Sequence, residues 1–190
     1  MSIWGIPIHI QSRVTNPYDN EVSTRDTVNQ MIALARRAAS YPVIHSVVNT
    51  LLSSLPVNYT NKDLARAIFW YVKGKVTFRQ DEEIVSSDLG FMDWNQELLI
   101  DPGLLVSMAQ PQGDCDDFSL LTASLLTAAH IPTRFVTIAA DAGEPERFSH
   151  IYVKAWLDDR WVPMDTSHGN LLGWECGNAY RKAEWNIICG

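Results

Sequence analysis

The chain has 190 residues, of which 46% are hydrophobic and 19% charged, and its formal net charge is -7 at pH 7. This length and composition are typical of one globular domain with a substantial core. The negative charge argues against a nucleic-acid partner, because phosphate binding needs a basic surface. There is no apolar stretch long enough for a membrane span and no signal-peptide pattern, so we expect a cytoplasmic protein without a membrane partner.

The cysteines are few and scattered. They are Cys115, Cys176 and Cys189, an odd number without the spacing of a disulfide framework. A reducing compartment is the simpler interpretation.

The first half of the chain is predicted to be helical. One helix is expected to start at Ser23 or Thr24 as N-cap, because apolar residues then recur at helical spacing. Pro42 fits the first position of a second helix. A third helix is expected to have Asn61 as its N-cap and to end near Gly74.

The segment that follows lacks a clear period. Residues 79–97 are predicted to be a loop, with the acidic run Asp81-Glu82-Glu83 in solvent. Pro102 is expected to begin a short helix that reaches Met108.

A central helix is predicted from "FSLLTASLLTAA", residues 118–129, which carries no charge on any face. A helix that is apolar all round lies inside the protein. Cys115 is then placed at or just before the N-terminus of this helix, with Asp114 as its cap. The helix dipole lowers the pKa of a thiol at that position, and backbone N–H groups there can bind an oxyanion. Asp116 and Asp117 oppose a thiolate, although a thiolate–imidazolium pair can outweigh them if they are solvated. The sequence leaves open whether they cap the helix, repel the thiolate or help to select a substrate.

The second half is predicted to be rich in strands. Residues 133–140 form one β-type run, and "FSHIYVKAWL", residues 148–157, alternates between two faces. If Asp158-Asp159 is a two-residue turn, Trp156 faces Trp161 in a hairpin. His150 is then the diagonal neighbour of Asp165 on one face, about 7 Å away between Cβ atoms.

These residues suggest a cysteine nucleophile, because Cys, His and a carboxylate together form the catalytic triad of thiol acyl-transfer enzymes. The alternative is that Cys115 and His150 have structural roles only. His168 is the second candidate for the base, since it follows Asp165 closely. A zinc site from Cys115, His150 and a second cysteine lacks paired-ligand spacing, and "DCDD" lacks the glycine of a calcium loop. We therefore expect no metal and no cofactor.

Three segments resemble one family. "LARAIFWYVKGKVTF", "GDCDDFSLLTASLLTAAHIPTRFV" and "SHIYVKAWLDDRWVPMDTS" are similar to the transglutaminase-like superfamily in its compact microbial and phage form, over roughly residues 62–168. The resemblance implies Cys115 as nucleophile, His150 as general base and acid, and Asp165 as the orienting carboxylate. It also implies an α+β, papain-like fold in which the helix that carries the cysteine packs on an antiparallel sheet. His130 departs from the family, which usually has glycine there.

The resemblance divides the chain into three parts within one domain. Residues 1–60 are expected to be a helical extension packed on the core, residues 61–168 the catalytic core, and residues 169–190 a tail packed on it.

An oxyanion hole is expected beside the nucleophile. The Cys115 backbone N–H is its natural first donor, and an upstream side chain supplies the second in this superfamily. The candidates for the second donor are Trp94, Gln96, Gln110 and Gln112.

The predicted function is cysteine-dependent hydrolysis of an amide, in a peptide or protein substrate, through a thioester. The alternatives are a transglutaminase, which passes the acyl group to an amine, and a non-catalytic scaffold or virion component that keeps the fold.

Overall fold

The computed structural model of the protein describes residues 2–3, 6–7, 9–12, 20–84 and 96–187. The helices are α1 (Asn20–Ala38), α2 (Pro42–Ser53), α3 (Asn61–Lys75), α4 (Asp81–Ile84), α5 (Pro102–Ser107) and α6 (Cys115–Ala128). The strands are β1 (Ser2–Ile3), β2 (Ile6–Pro7), β3 (His9–Ser12), β4 (Thr77–Phe78), β5 (Gln96–Leu99), β6 (Gln112–Gly113), β7 (Thr133–Ala139), β8 (His150–Leu157), β9 (Arg160–Met164) and β10 (Arg181–Ile187).

Helix α6 is the centre of the core, as its uncharged sequence predicted. Helices α1, α2, α3 and α5 pack against it, and β7 and β8 cover it from the sheet side. Its leucines are fully buried: Leu120, Leu121, Leu125 and Leu126. Helices on one side of an antiparallel sheet make an α+β architecture, and the predicted fold class is confirmed.

The main sheet has the strand order β10-β7-β8-β9, and all its neighbours are antiparallel. The β8–β9 hairpin has the predicted register, with Trp156 opposite Trp161. Asp158 and Asp159 form its turn with φ of 50° and 58°. A two-residue hairpin turn that matches the twist of its strands requires a positive φ at both central residues. Aspartate tolerates this conformation.

Strand β10 was not predicted from the sequence. It pairs with β7 from Arg181 opposite Ala139 to Ile187 opposite Thr133. Exposed and half-buried residues alternate along β10, and the exposed ones are the polar residues Lys182, Glu184 and Asn186. An edge strand of this composition carries little hydrophobic signal, because only one residue, Ile187, is buried.

Two helix starts differ from the sequence prediction. α1 begins at Asn20, before Ser23 and Thr24. The cap of α3 is Thr60, which forms a capping box with Asp63. Two reciprocal hydrogen bonds, between the side chain of each residue and the backbone N–H of the other, explain why the helix starts there. The prediction that Pro42 begins α2 is confirmed.

The predicted loop at residues 79–97 is only partly a loop, since it contains α4 and the start of β5. The prediction that Asp81 lies in solvent is wrong. It is 6% exposed, and its Oδ2 accepts a hydrogen bond of 2.7 Å from the backbone N–H of Leu98. A backbone donor within β5 therefore holds this carboxylate in the interior.

In the part of the chain that the structure describes, no helix combines the length and the apolar character that crossing a membrane requires. The division at residues 60 and 168 stays a prediction.

Candidate active site

Cys115 is the first residue of α6, where the sequence placed it. Asp114 caps the helix, since its Oδ1 accepts a hydrogen bond of 2.9 Å from the backbone N–H of Asp116. The thiol is half-buried, and its Sγ donates to Asp116 Oδ1 at 3.6 Å. Cys115 thus combines a helix N-terminus, which favours the thiolate, with an adjacent carboxylate, which opposes it.

Asp116 and Asp117 are not solvated in the structure. Asp116 is 8% exposed and Asp117 is fully buried. The Oδ1 atom of Asp117 accepts a hydrogen bond of 2.8 Å from the backbone N–H of Ile100. Burial raises the pKa of Asp117 well above its ordinary value, and the charges of Asp114 and Asp81 raise it further.

Gly113 makes room for this buried carboxyl group. A Cβ at residue 113 would lie 2.4 Å from Oδ2 of Asp117, which no side chain tolerates. The "GDCDD" sequence therefore places one aspartate at the cap, one beside the thiol and one in the interior.

His150 and Asp165 form the contact that the hairpin register predicted. The distance from His150 Nε2 to Asp165 Oδ2 is 2.7 Å, with the histidine side chain 10% exposed and the aspartate 1% exposed. Burial alone raises the pKa of Asp165, but the hydrogen bond and charge of His150 outweigh it and hold that pKa below its ordinary value. An ionised carboxylate only accepts hydrogen bonds, so Nε2 of His150 carries a proton and Nδ1 is the ring nitrogen left for another partner.

Two buried hydrogen bonds join α6 to the residues that directly follow His150 and Asp165. Ser119 Oγ donates to the carbonyl oxygen of Ile151 at 3.1 Å, and the hydroxyl groups of Thr122 and Thr166 lie 3.0 Å apart. Ile151 directly follows His150, and Thr166 directly follows Asp165. Ser119 is one helical turn from Cys115, so the turn that carries the thiol lies at the same end of the helix–sheet interface as the pair.

An aromatic group surrounds the His150 ring. Tyr152 stacks against it with centroids 6.0 Å apart, and the edge of His168 lies against it at 4.7 Å. Phe78 contacts His168 at 5.3 Å and Phe118 at 6.2 Å. Phe78 is 43% exposed, so its ring spans from α6 to the loop after β9 while one part faces solvent.

Phe78 and Tyr152 were not predicted as parts of the site. Phe78 lies in β4, which pairs with β6 directly before the nucleophile: Phe78 is opposite Gly113. A two-residue parallel strand has no periodicity to detect. The alternation of β8 does place Tyr152 on the face of His150 and could have indicated it.

Tyr152 is held in place by ion pairs on the outer face of the sheet. Its hydroxyl group donates to Glu175. Lys154 Nζ lies 3.1 Å from Glu175 and 3.0 Å from Glu184, and Lys182 Nζ lies 2.5 Å from Glu175. Burial raises the pKa of Glu175, but hydrogen bonds from Lys182, Tyr152 and Lys154 lower it to about 2. The segment after the hairpin is therefore fastened over the ring that stacks on His150.

The four candidates for the second oxyanion donor differ in whether the structure describes their side chains and in what those side chains contact. Trp94 lies outside the described residues, as does the side chain of Gln96. Gln110 is exposed. Gln112 is half-buried, and its Oε1 accepts a hydrogen bond of 2.8 Å from Arg79 Nη1. Of the two described side chains, only that of Gln112 is fixed, and the bond to Arg79 leaves its NH₂ group as the end that can donate.

Groups that could hold a metal lie at both sides of the site. Ligand atoms of His150, Asp165 and His168 lie within 4.8 Å of one another. Among the described residues, no such group unites Cys115 with His150. Two further groups of possible metal ligands lie near the start of α6. One consists of Asp114, Cys115 and Asp116, and the other of Asp81, Asp114 and Asp117. The predicted absence of a metal stays a prediction.

Residues 53–166 match the model of the transglutaminase-like superfamily. The chain belongs to this superfamily. Its members commonly catalyse acyl transfer or proteolysis through a cysteine. No curated protein matches the sequence.

Solved structures that resemble the chain share little sequence with it. The structure named "Putative Cysteine Protease from Cytophaga hutchinsonii" has 17% identity and a TM-score of 0.46, over 74% of this chain and 41% of that one. A TGase structure has 15% identity and a TM-score of 0.44, over 87% of this chain and 37% of that one. Rad4-Rad23 bound to a 6-4 photoproduct UV lesion has 13% identity and a TM-score of 0.40, over 87% and 44%. The chain thus spans about two fifths of the length of these structures.

Proposed function

We propose that the protein is a cysteine-dependent amide hydrolase, in which Cys115 is the nucleophile, His150 the general base and acid, and Asp165 the orienting carboxylate. The observation that carries the proposal is the 2.7 Å contact of His150 Nε2 with a buried, ionised Asp165. This contact fixes the imidazole tautomer with a bare Nδ1, which is the form that can take a proton from a thiol. Membership of the superfamily supports the same assignment.

The reaction begins when His150 Nδ1 takes the proton of the Cys115 thiol. The thiolate attacks the amide carbonyl carbon, and the carbonyl oxygen becomes an oxyanion that the Cys115 backbone N–H stabilises at the start of α6. The C–N bond then breaks, and His150 gives its proton to the leaving amine. A thioester on Cys115 remains.

Water resolves the thioester. His150 removes a proton from the water molecule, and the hydroxide adds to the acyl carbon. The C–S bond then breaks, and His150 returns its proton to the leaving sulfur, so that a carboxylic acid and the thiol are released. Asp165 stays ionised throughout and stabilises the imidazolium that forms in both halves of the reaction.

The carboxylate of Asp116 lowers the fraction of thiolate that is present before substrate binds. It accepts the thiol proton in a weak hydrogen bond, and its negative charge opposes ionisation of Cys115. The His150–Asp165 pair and the helix dipole favour ionisation. The resting thiolate fraction is the balance of these two effects.

Hydrolysis is the preferred form of the proposal, because water alone is enough to resolve the thioester. Transfer to an amine needs a site that binds the amine and excludes water from the thioester.

The test is mass spectrometry of a peptide library incubated with the protein, with and without a primary amine. Cleavage or deamidation supports the hydrolase, and incorporation of the amine identifies a transglutaminase instead. Cys115→Ala should abolish either reaction, whereas Cys176→Ala, which removes the other described half-buried thiol, should retain it. A protein without turnover, whose Cys115 reacts with iodoacetamide no faster than Cys176, would be a non-catalytic scaffold.

A further inference from the structure

We propose that His168 is a positioning residue, which orients Asp165 toward His150 through the hydroxyl group of Ser167 and confines the His150 ring from its side. This inference rests on the proposed function, since it gives His168 a role in the same dyad.

The hydrogen bonds of Asp165 are divided between its two oxygens. Oδ1 accepts from Ser167 Oγ at 2.9 Å and from the His168 backbone N–H at 2.9 Å. Oδ2 is left for His150 Nε2 at 2.7 Å. The two donors on Oδ1 fix the plane of the carboxylate and so aim Oδ2 at the histidine.

The direction of the next bond follows from proton counting. Asp165 is ionised and can only accept, so the single proton of the Ser167 hydroxyl group points at Asp165. Ser167 Oγ also lies 2.9 Å from His168 Nδ1, and there it must accept. His168 Nδ1 therefore carries a proton. The bonds run in one direction, from His168 through Ser167 to Asp165.

The ring of His168 is held between two other rings. It lies edge-on to His150 at 4.7 Å with an interplanar angle of 81°, and it meets Phe78 at 5.3 Å and 71°. Aromatic pairs prefer this edge-to-face arrangement. With Tyr152 stacked on His150 as well, the His150 ring has little space to turn away from Asp165.

His168 is neutral when the dyad works. Burial and the charge of His150 lower the pKa of His168; Asp165 raises it, and Lys73 lowers it further. Lys73 Nζ also donates to the Ser167 backbone carbonyl at 3.5 Å, so a cation stands beside this loop. A neutral imidazole has one N–H, and its position on Nδ1 is required by Ser167.

The experiment is a double-mutant cycle on Ser167 and His168, read by the rate at which iodoacetamide labels Cys115 near neutral pH, with the labelled site resolved by mass spectrometry. Ser167→Ala and His168→Phe should each slow labelling about fivefold, the effect of one ordinary hydrogen bond. The double variant should be no slower than either single variant, because both remove the same chain of bonds. His168→Asn keeps an N–H close to the Nδ1 position and should restore the rate to within about twofold, but only when Ser167 is present.

Two further measurements separate this role from simple packing. Long-range proton–nitrogen NMR should show His168 as the Nδ1–H tautomer. His45→Phe, a matched change at an exposed histidine of α2, should leave the labelling rate unchanged. Additive effects in the cycle, absence of rescue by asparagine, or the Nε2–H tautomer would overturn the proposal.

Failure of the proposed function would give a different result from failure of this inference. It appears in the unaltered protein, as a Cys115 that labels no faster than Cys176, and the tautomer of His168 still decides the hydrogen-bond chain in that case.

Discussion

The hydroxyl group of Ser119 donates to the carbonyl oxygen of Ile151 at 3.1 Å, in the buried interface between α6 and β8. Ser119 lies one turn after Cys115, and Ile151 directly follows His150. This bond thus sets the position of the helix that carries the thiol along the strand that carries the histidine.

Ser119→Ala should therefore reduce both stability and thiol reactivity. The loss of a buried hydrogen bond should lower the free energy of unfolding by about 1–3 kcal/mol. A small shift of α6 should also slow the labelling of Cys115 by roughly tenfold, since reacting groups tolerate little misplacement. The measurements are urea denaturation and iodoacetamide kinetics.

Ser124→Ala is the matched control. Ser124 Oγ donates to the Leu120 carbonyl within α6 at 2.7 Å and is equally buried. It should lower stability without slowing the labelling of Cys115. Equal slowing in both variants would mean that the helix, rather than its contact with β8, controls reactivity.

Asp165→Asn should lower kcat by about 10³–10⁴, because the amide no longer fixes the His150 tautomer or stabilises the imidazolium. The pKa of Asp165 is lowered in the folded protein. Its ionised form therefore contributes stability above the unfolded value of about 3.9, and this contribution is lost as the pH falls through the folded value. The difference in Tm between the two proteins should be full near neutral pH and should shrink in acid.

Asp141→Asn serves as the comparison for that experiment. Asp141 is exposed, and its Oδ1 accepts a hydrogen bond from the Gly143 backbone. It should leave kcat unchanged. A pH-independent difference in Tm for Asp165→Asn would contradict the assignment of an ionised, stabilised carboxylate.

Asp116→Asn should make Cys115 more reactive. The substitution removes a negative charge 3.6 Å from the sulfur, so the pKa of the thiol should fall. Labelling by iodoacetamide should be faster in the variant at mildly acidic pH and should converge with the unaltered protein in alkali. Asp159→Asn, in the exposed hairpin turn, is the control; a slower reaction of Asp116→Asn would show that this carboxylate assists the thiol.

Asp117→Asn should stabilise the protein increasingly as the pH rises. Burial raises the pKa of Asp117, so its protonated form is favoured in the folded state. That contribution is fully present below the unfolded value of about 3.9 and is lost as the pH rises through the folded value. Asparagine keeps the acceptor for the Ile100 N–H and carries no charge. Thermal unfolding at several pH values checks this, and a constant Tm difference would refute it.

The contact between His150 and Asp165 could be predicted because its causes are local. A two-residue turn and strict alternation fix the register of β8 and β9, and a one-residue slip would move every side chain to the other face. The position of Cys115 was predictable for a similar reason, since Asp114 and the uncharged run after it mark the start of a buried helix.

Other features depend on contacts between distant parts of the chain. Asp81 and Asp117 lie in acidic runs that are typical of a solvated surface. Each nevertheless accepts a hydrogen bond from a backbone N–H in the segment 98–100. The pairing of β10 with β7 joins residues far apart in sequence and has little apolar signal. Phe78 reaches His168 only because β4 pairs with β6. No window of neighbouring residues contains these relationships.

The positions of the dyad and the thiol along the chain have a consequence for synthesis. His150 and Asp165 both follow Cys115, and the hairpin that unites them closes through a two-residue turn. A ribosome releases the thiol first and its activating partners later. If the proposed mechanism holds, a nascent chain that has not yet reached Asp165 carries a cysteine without its activating partners. The reactive thiolate forms only after the sheet has folded onto α6.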